Sequence, residues 1–152
     1  MYYKTSEEHE ALRAEIREWA EREIKPIAFT LDKNSEFPRE QIQDFAKRGF
    51  MGLPYPKEYG GMGKDILSYA IGVEELSRVD GGTGVILSAH VSLGTFPIFA
   101  FGNEQQKQKY LVPLAKGEKI GAFGLTEPNA GSDAGGTETT AELSGDYYIL
   151  NG

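Results

Sequence analysis

Phe123-Gly-Leu-Thr-Glu-Pro-Asn-Ala-Gly-Ser-Asp133 joins a short apolar run to a polar, glycine-containing loop. Leu125 and Thr126 close an extended segment, and Pro128 stops a ladder or helix from continuing because its ring has no N–H to donate. Gly131 lets main-chain N–H groups approach an anion, and Ser132 adds a hydroxyl next to them. Packing alone does not call for so many polar groups in this order. The stretch reads as a wall built against a ligand.

Toward the C-terminus the pattern stays short and extended. Ile120–Thr126 and Thr137–Leu143 are expected as strands, Ser144-Gly145-Asp146 as a turn, and Tyr147–Leu150 as the returning strand. Toward the N-terminus the period is helical. Leu12, Ile16, Trp19, Ala20, Ile24, Ile27 and Leu31 predict one helix over residues 6–31, bent at Pro26 and started by a Thr5/Glu8 capping box. A second, short helix carries Ile42, Phe45 and Ala46, with Pro38 in its first turn and Gly49 as a left-handed stop. Gly52 to Gly63 is too rich in Gly and Pro for regular structure, and its aromatics favour an ordered loop. Asp65 caps a third helix to about Val79, Gly81 and Gly82 make a corner, and an apolar helix runs to Phe101. Asn103 caps a last helix to about Leu114. The expected class is mainly α, with an all-α domain over 1–118 and an incomplete β domain over 119–152, too small to cover its own strand edges.

Composition narrows the ligand. The net charge is -7, from 23 acidic and 16 basic side chains, which argues against nucleic acid, whose phosphates need clustered cations. There is no cysteine and only two histidines, so neither a disulfide framework nor a metal site is expected. The N-terminus has no apolar signal core, which makes a cytoplasmic protein the default. The segment from Thr83 to Phe101 approaches the length of a membrane span, but Ser88, His90, Ser92, Thr95 and Pro97 interrupt it, and a buried core helix is expected instead.

FGLTEPNAGSD, together with Val73-Glu-Glu-Leu-Ser-Arg78 and Phe101-Gly-Asn-Glu-Gln-Gln-Lys-Gln-Lys-Tyr-Leu111, resembles the acyl-CoA dehydrogenases over essentially the whole chain. The resemblance implies the helical N-terminal domain and the first strands of the β-barrel-like middle domain. It implies FAD as cofactor, an acyl-CoA of the short-chain or butyryl type as substrate, an electron-transfer flavoprotein as electron acceptor, and a homotetramer or homodimer. Phe123, Leu125, Thr126, Gly131 and Ser132 match flavin-contacting positions, with Phe123 where Tyr or Trp is frequent and Asn129 where Gly is common. Ser132 also matches the thioester side, and Leu93, Thr95, Phe96 and Phe99 fall where the family lines its acyl cavity. The family's catalytic base is a glutamate of a C-terminal domain, so no catalytic residue is assigned here. A same-fold oxidase or flavin monooxygenase, or a non-catalytic interaction domain, stays open as an alternative.

Other chemistry-bearing residues have plainer readings. Glu127 is an acid–base candidate only in name, since loop carboxylates mostly order their loop, and Asp133 is expected to bond nearby N–H groups in a turn. Glu74 and Glu75, with Arg78 one turn from Glu74, read as packing and ion-pair positions. His90 reads as a satisfied core histidine, and Gly60-Gly-Met-Gly63 as a turn rather than a phosphate loop.

Overall fold

The structure is a computed structural model that describes residues 4–152. The chain forms two compact units, one ending at Ala122 and one from Phe123 to Gly152.

The first unit is helical. Helix α1 (Glu7–Glu23) is capped by Ser6, whose side chain accepts from the His9 N–H, while His9 Nδ1 takes the Ser6 N–H at 3.1 Å. The expected Thr5/Glu8 box is thus displaced by one residue, because a hydroxyl and an imidazole meet both free N–H groups one step later. The helix does not reach residue 31. It ends before Pro26, whose missing N–H cannot continue the ladder, and restarts as α2 (Ala28–Asn34), which buries no residue. Helix α3 (Arg39–Lys47) buries Ile42, Phe45 and Ala46, follows Pro38 directly, and ends through Gly49 at φ 83°.

Gly52 to Gly63 is ordered and belongs to the core. Its carbonyls at Gly52, Leu53 and Tyr55 accept from the N–H groups of Met62, Lys64 and Gly63 at 2.8–3.0 Å, and Leu53, Tyr55 and Tyr59 are buried. Helix α4 (Ile66–Ser77) is capped by Asp65, which accepts the Ser68 N–H at 2.8 Å. It stops two residues short of Val79, because Asp80 caps the next helix instead, accepting the Thr83 N–H at 2.6 Å. Gly81 and Gly82 are therefore the first helical residues and not a corner.

That next helix is α5 (Gly81–Ala89), a π segment (His90–Thr95) and α6 (Phe96–Phe101) in one run. A second π segment (Lys107–Leu111) lies between α7 (Glu104–Gln106) and α8 (Val112–Ala115), after an Asn103/Gln106 capping box. Each π segment ends two residues before a proline, Pro97 or Pro113. Proline gives no N–H and crowds the preceding turn, and the wider π turn accommodates its ring. The run Gly81–Phe101 is long and apolar enough to cross a membrane by length and composition. It is not buried all round, as the sequence suggested: Thr83, Leu87, His90, Val91 and Thr95 face the core, while Val85 and Phe101 are exposed, Phe101 by 85%. Both faces are apolar, so the pattern alone did not mark which one turns outward.

Trp19, Phe45 and Phe50 stack at 4.7 and 4.8 Å in the core, and Trp19 Nε1 donates to Asp44 at 2.7 Å. Helix α4 lies against both α1 and α5. Glu75 of α4 is 0% exposed and sits among three guanidinium groups. Arg17 donates to it at 2.8 and 2.9 Å, Arg13 at 2.6 Å and Arg78 at 3.0 Å, and these bonds, Arg17's first, hold its pKa down at about 2. Arg78 therefore pairs with Glu75, three residues away, while Glu74 is bonded by Arg13 at 2.6 Å.

In the second unit, β1 (Thr140–Ser144) and β2 (Tyr147–Asn151) form an antiparallel hairpin in which Ala141 faces Leu150 and Ser144 faces Tyr147. The loop is two residues, Gly145 at φ 61° then Asp146, which is the II′ geometry with glycine first. The expected strand at Ile120–Thr126 is not formed. A strand needs a neighbour for its N–H and C=O groups, and among the described residues none pairs with this segment.

Candidate functional site

Two groups of predicted residues lie in different units, and each has its own geometry. In the first unit, Phe96 and Phe99 line an apolar cavity of about 210 Å³ together with Tyr55, Tyr69, Val91 and Ser92. Tyr55 fixes this wall: its hydroxyl donates to the Val91 carbonyl at 2.5 Å and its ring meets the edge of Phe99 at 5.5 Å. Burial pushes the Tyr55 phenol far above its ordinary pKa, so it stays a neutral donor. The other two predicted wall residues stand apart from this cavity. Leu93 is largely exposed, and Thr95 is fully buried with no partner for its hydroxyl. Leu93 and Thr95 lie within the widened turn of His90–Thr95, whereas Phe96 and Phe99 belong to the α-helical turn that follows it. Tyr55, Tyr69 and Val91 were not picked out from sequence; for Tyr55 the aromatic density of the Gly52–Gly63 loop was the available signal, while Tyr69 and Val91 lie on helical segments outside it.

His90 is buried between elements. Its Nε2 donates to the Leu114 carbonyl at 3.1 Å, and its Nδ1 accepts the Gly121 N–H at 2.9 Å. Burial lowers its pKa, against the opposing pull of the Leu114 bond, and keeps the ring neutral.

In the second unit, Glu127 and Ala130 exchange reciprocal main-chain bonds of 2.9 and 3.2 Å across Pro128-Asn129, forming a tight turn. The Glu127 carboxylate accepts from the N–H groups of Glu138 at 2.7 Å and Thr139 at 3.2 Å. Bonding by Thr139 and by the Glu138 N–H lowers its pKa, so this carboxylate is committed to ordering the loop. Asp133 contributes its main-chain carbonyl, not the expected carboxylate, to a bond from Gly136 N–H at 3.1 Å. On either side of that turn the loop is open. Phe123, Leu125, Thr126, Gly131 and Ser132 are exposed, and a side chain at Gly124 or Gly131 would meet nothing within 4 Å. Among the described residues, no main-chain bond is donated by residues 123–126 or by Gly131 and Ser132, and the Thr126 and Ser132 hydroxyls have no protein partner.

Residues 6–118 match the family described as acyl-CoA dehydrogenase, N-terminal domain. The chain belongs to the acyl-CoA dehydrogenase family. Across all 152 residues it is 57% identical to a short-chain specific acyl-CoA dehydrogenase of Clostridium acetobutylicum, and it spans 40% of that relative. Its fold matches a chain in the structure described as the electron transferring flavoprotein of Acidaminococcus fermentans, with a TM-score of 0.94, 51% identity, and coverage of 100% of this chain and 40% of the other. It also matches an acyl-CoA dehydrogenase complexed with FAD from Bacillus anthracis, with a TM-score of 0.90, 41% identity, and coverage of 98% and 26%. This acyl-CoA dehydrogenase chain is mainly α, as its sequence implied, and it spans less than half the length of these relatives.

Proposed function

We propose that this chain is the N-terminal portion of an FAD-dependent acyl-CoA dehydrogenase of the short-chain type, with residues 1–118 as the helical domain and 119–152 as the start of the middle domain. The observation that carries the reading is 57% identity along the whole chain to a short-chain enzyme. FAD is supported by the loop itself: unpaired N–H groups over residues 123–126, free hydroxyls at Thr126 and Ser132, and space above Gly131 suit the polar edge of a flavin. When bound, FAD supplies the acceptor for a hydride taken from the β carbon of an acyl-CoA thioester.

In this reading, Phe123, Leu125 and Thr126 hold the ring's polar edge, and Gly131 and Ser132 continue that contact toward the thioester. Phe96 and Phe99 exclude water from the end of a short acyl chain, while Leu93 and Thr95, which lie outside this cavity, belong only to the helical segment that carries it. Glu127 is committed to its loop, which agrees with the family resemblance, by which the base that removes the α proton is a glutamate of a C-terminal domain. Electrons leave to an electron-transfer flavoprotein, the partner suggested by the Acidaminococcus match. A homotetramer or homodimer in the bacterial cytoplasm, with no nucleic acid partner, completes the reading. In the full-length protein, anaerobic butyryl-CoA should bleach the flavin absorbance. An oxidised flavin that no acyl-CoA bleaches would refute the assignment, and rapid reoxidation by oxygen would move it to the oxidases.

A further inference from the structure

Gly121 is held from two sides by one helical segment. On one side, His90 Nδ1 accepts its N–H at 2.9 Å. On the other, Gly94 lies so close that a methyl group there would come within 2.7 Å of the Gly121 Cα and carbonyl carbon and 2.9 Å of the Ala122 nitrogen. The same imidazole donates to the Leu114 carbonyl at 3.1 Å, so a single ring ties the π segment to the end of α8 and to the chain seven residues further on. With 0% exposure and both nitrogens bonded, the ring is confined to one neutral tautomer, Nε2–H. The next four residues after Ala122, Phe123 to Thr126, donate no main-chain bond among the described residues. Gly121 is thus the last anchored point of the backbone before the segment read as a flavin wall.

We infer that His90 is a positioning residue for FAD: through its bond to the Gly121 N–H it sets where Phe123–Thr126 begin, and Gly94 provides the close approach that lets it do so. This rests on the flavin reading of that segment. It assigns His90 no contact with substrate or cofactor. The bond to Gly121, and not the bond to Leu114, is the one that acts on the cofactor.

Two substitutions separate the bonds. In His90→Asn the amide oxygen takes the place of Nδ1 and can accept the Gly121 N–H; in His90→Gln the amide nitrogen takes the place of Nε2 and can donate to Leu114. Each loses one buried hydrogen bond, and apo-protein melting measures how far their folding costs differ. In the full-length protein, apo-protein melting, FAD titration and hydrogen exchange at the Gly121 amide are measured for both. His90→Asn should bind FAD within about twofold of the parent and protect the Gly121 amide, whereas His90→Gln should bind roughly tenfold more weakly and lose that protection. Equal FAD affinity in the two variants, or parental affinity in His90→Gln, overturns the inference. Should His90→Gln not fold, Gly94→Ala decides instead, since it displaces Gly121 with the imidazole unchanged, and undiminished FAD affinity there overturns the inference too. A parent protein that takes up no FAD would defeat the flavin reading itself, and this inference with it.

Discussion

Glu75 concentrates the ionic chemistry of the helical unit in one carboxylate. Replacing it by Gln would leave the guanidinium groups of Arg13, Arg17 and Arg78 without their shared anion, a change expected to cost about 1–3 kcal/mol in urea unfolding because the arginines stay partly solvated. Its pH signature has a definite sign. The folded carboxyl is held at about 2 against an ordinary 4.5, so its contribution is complete above 4.5 and is lost as the pH falls from there toward 2. Stability measured across that window should fall more steeply in the parent than in Glu75→Gln. In the proposed flavin reading, Thr126 serves the ligand and not the fold. In the full-length protein, Thr126→Val keeps the volume, loses the hydroxyl, and should weaken FAD binding by about 1–3 kcal/mol with the apo-protein melting temperature unchanged. Unchanged FAD affinity, or an equal loss of apo stability, would make that hydroxyl structural.

At the scale of elements, the Gly52–Gly63 loop behaves as part of the core. A methyl group on Gly52 would run into the Ala115 carbonyl and the Gly61 backbone, neither of which is free to move, whereas one on Gly49 meets only the Met62 side chain at 3.3 Å and a φ of 83°. Gly52→Ala should therefore cost more than Gly49→Ala in thermal unfolding, by roughly 1–3 kcal/mol. The hairpin is at the other extreme. Every residue of β1 and β2 is exposed, and two strands alone are marginal in water, so their amides should exchange far faster than those of α4. Much of this was legible. The caps at Asp65 and Asn103, the stop at Gly49 and the ordered loop all rest on local chemistry that a sequence states directly. The break before Pro26 was legible only as a bend, because spacing does not reveal whether a helix resumes on the same axis. The strand at 120–126 was over-read, since apolar alternation marks the wish for a partner and not its presence. The π segment at His90–Thr95 changed the direction in which Leu93, Thr95, Phe96 and Phe99 point, and only Pro97 after it hinted at it.

For the whole molecule, the proposed flavin loop is open on sides that this chain does not cover, and an incomplete site forfeits affinity to the ordering of its wall. The purified 152-residue chain should bind FAD poorly, and a strong stoichiometric flavin absorbance in that preparation would contradict the reading. With FAD in excess, anaerobic butyryl-CoA should leave the flavin oxidised. Bleaching by this chain, abolished by Glu127→Gln, would make Glu127 the base and overturn the role given to it here.

The ion pairs that join α1 to α4 also set a clock for synthesis. Arg13 and Arg17 leave the ribosome 62 and 58 residues before Glu75, an interval of roughly 3–12 s at ordinary elongation rates. Through most of it, α1 is a 17-residue segment near the length limit for helix stability in water, and although Trp19 can meet Phe45 once α3 has emerged, the face with Ile16 that α4 covers stays open. That face is then a target for any hydrophobic surface nearby, until the arrival of α4 brings both its apolar cover and the carboxylate that its arginines bind.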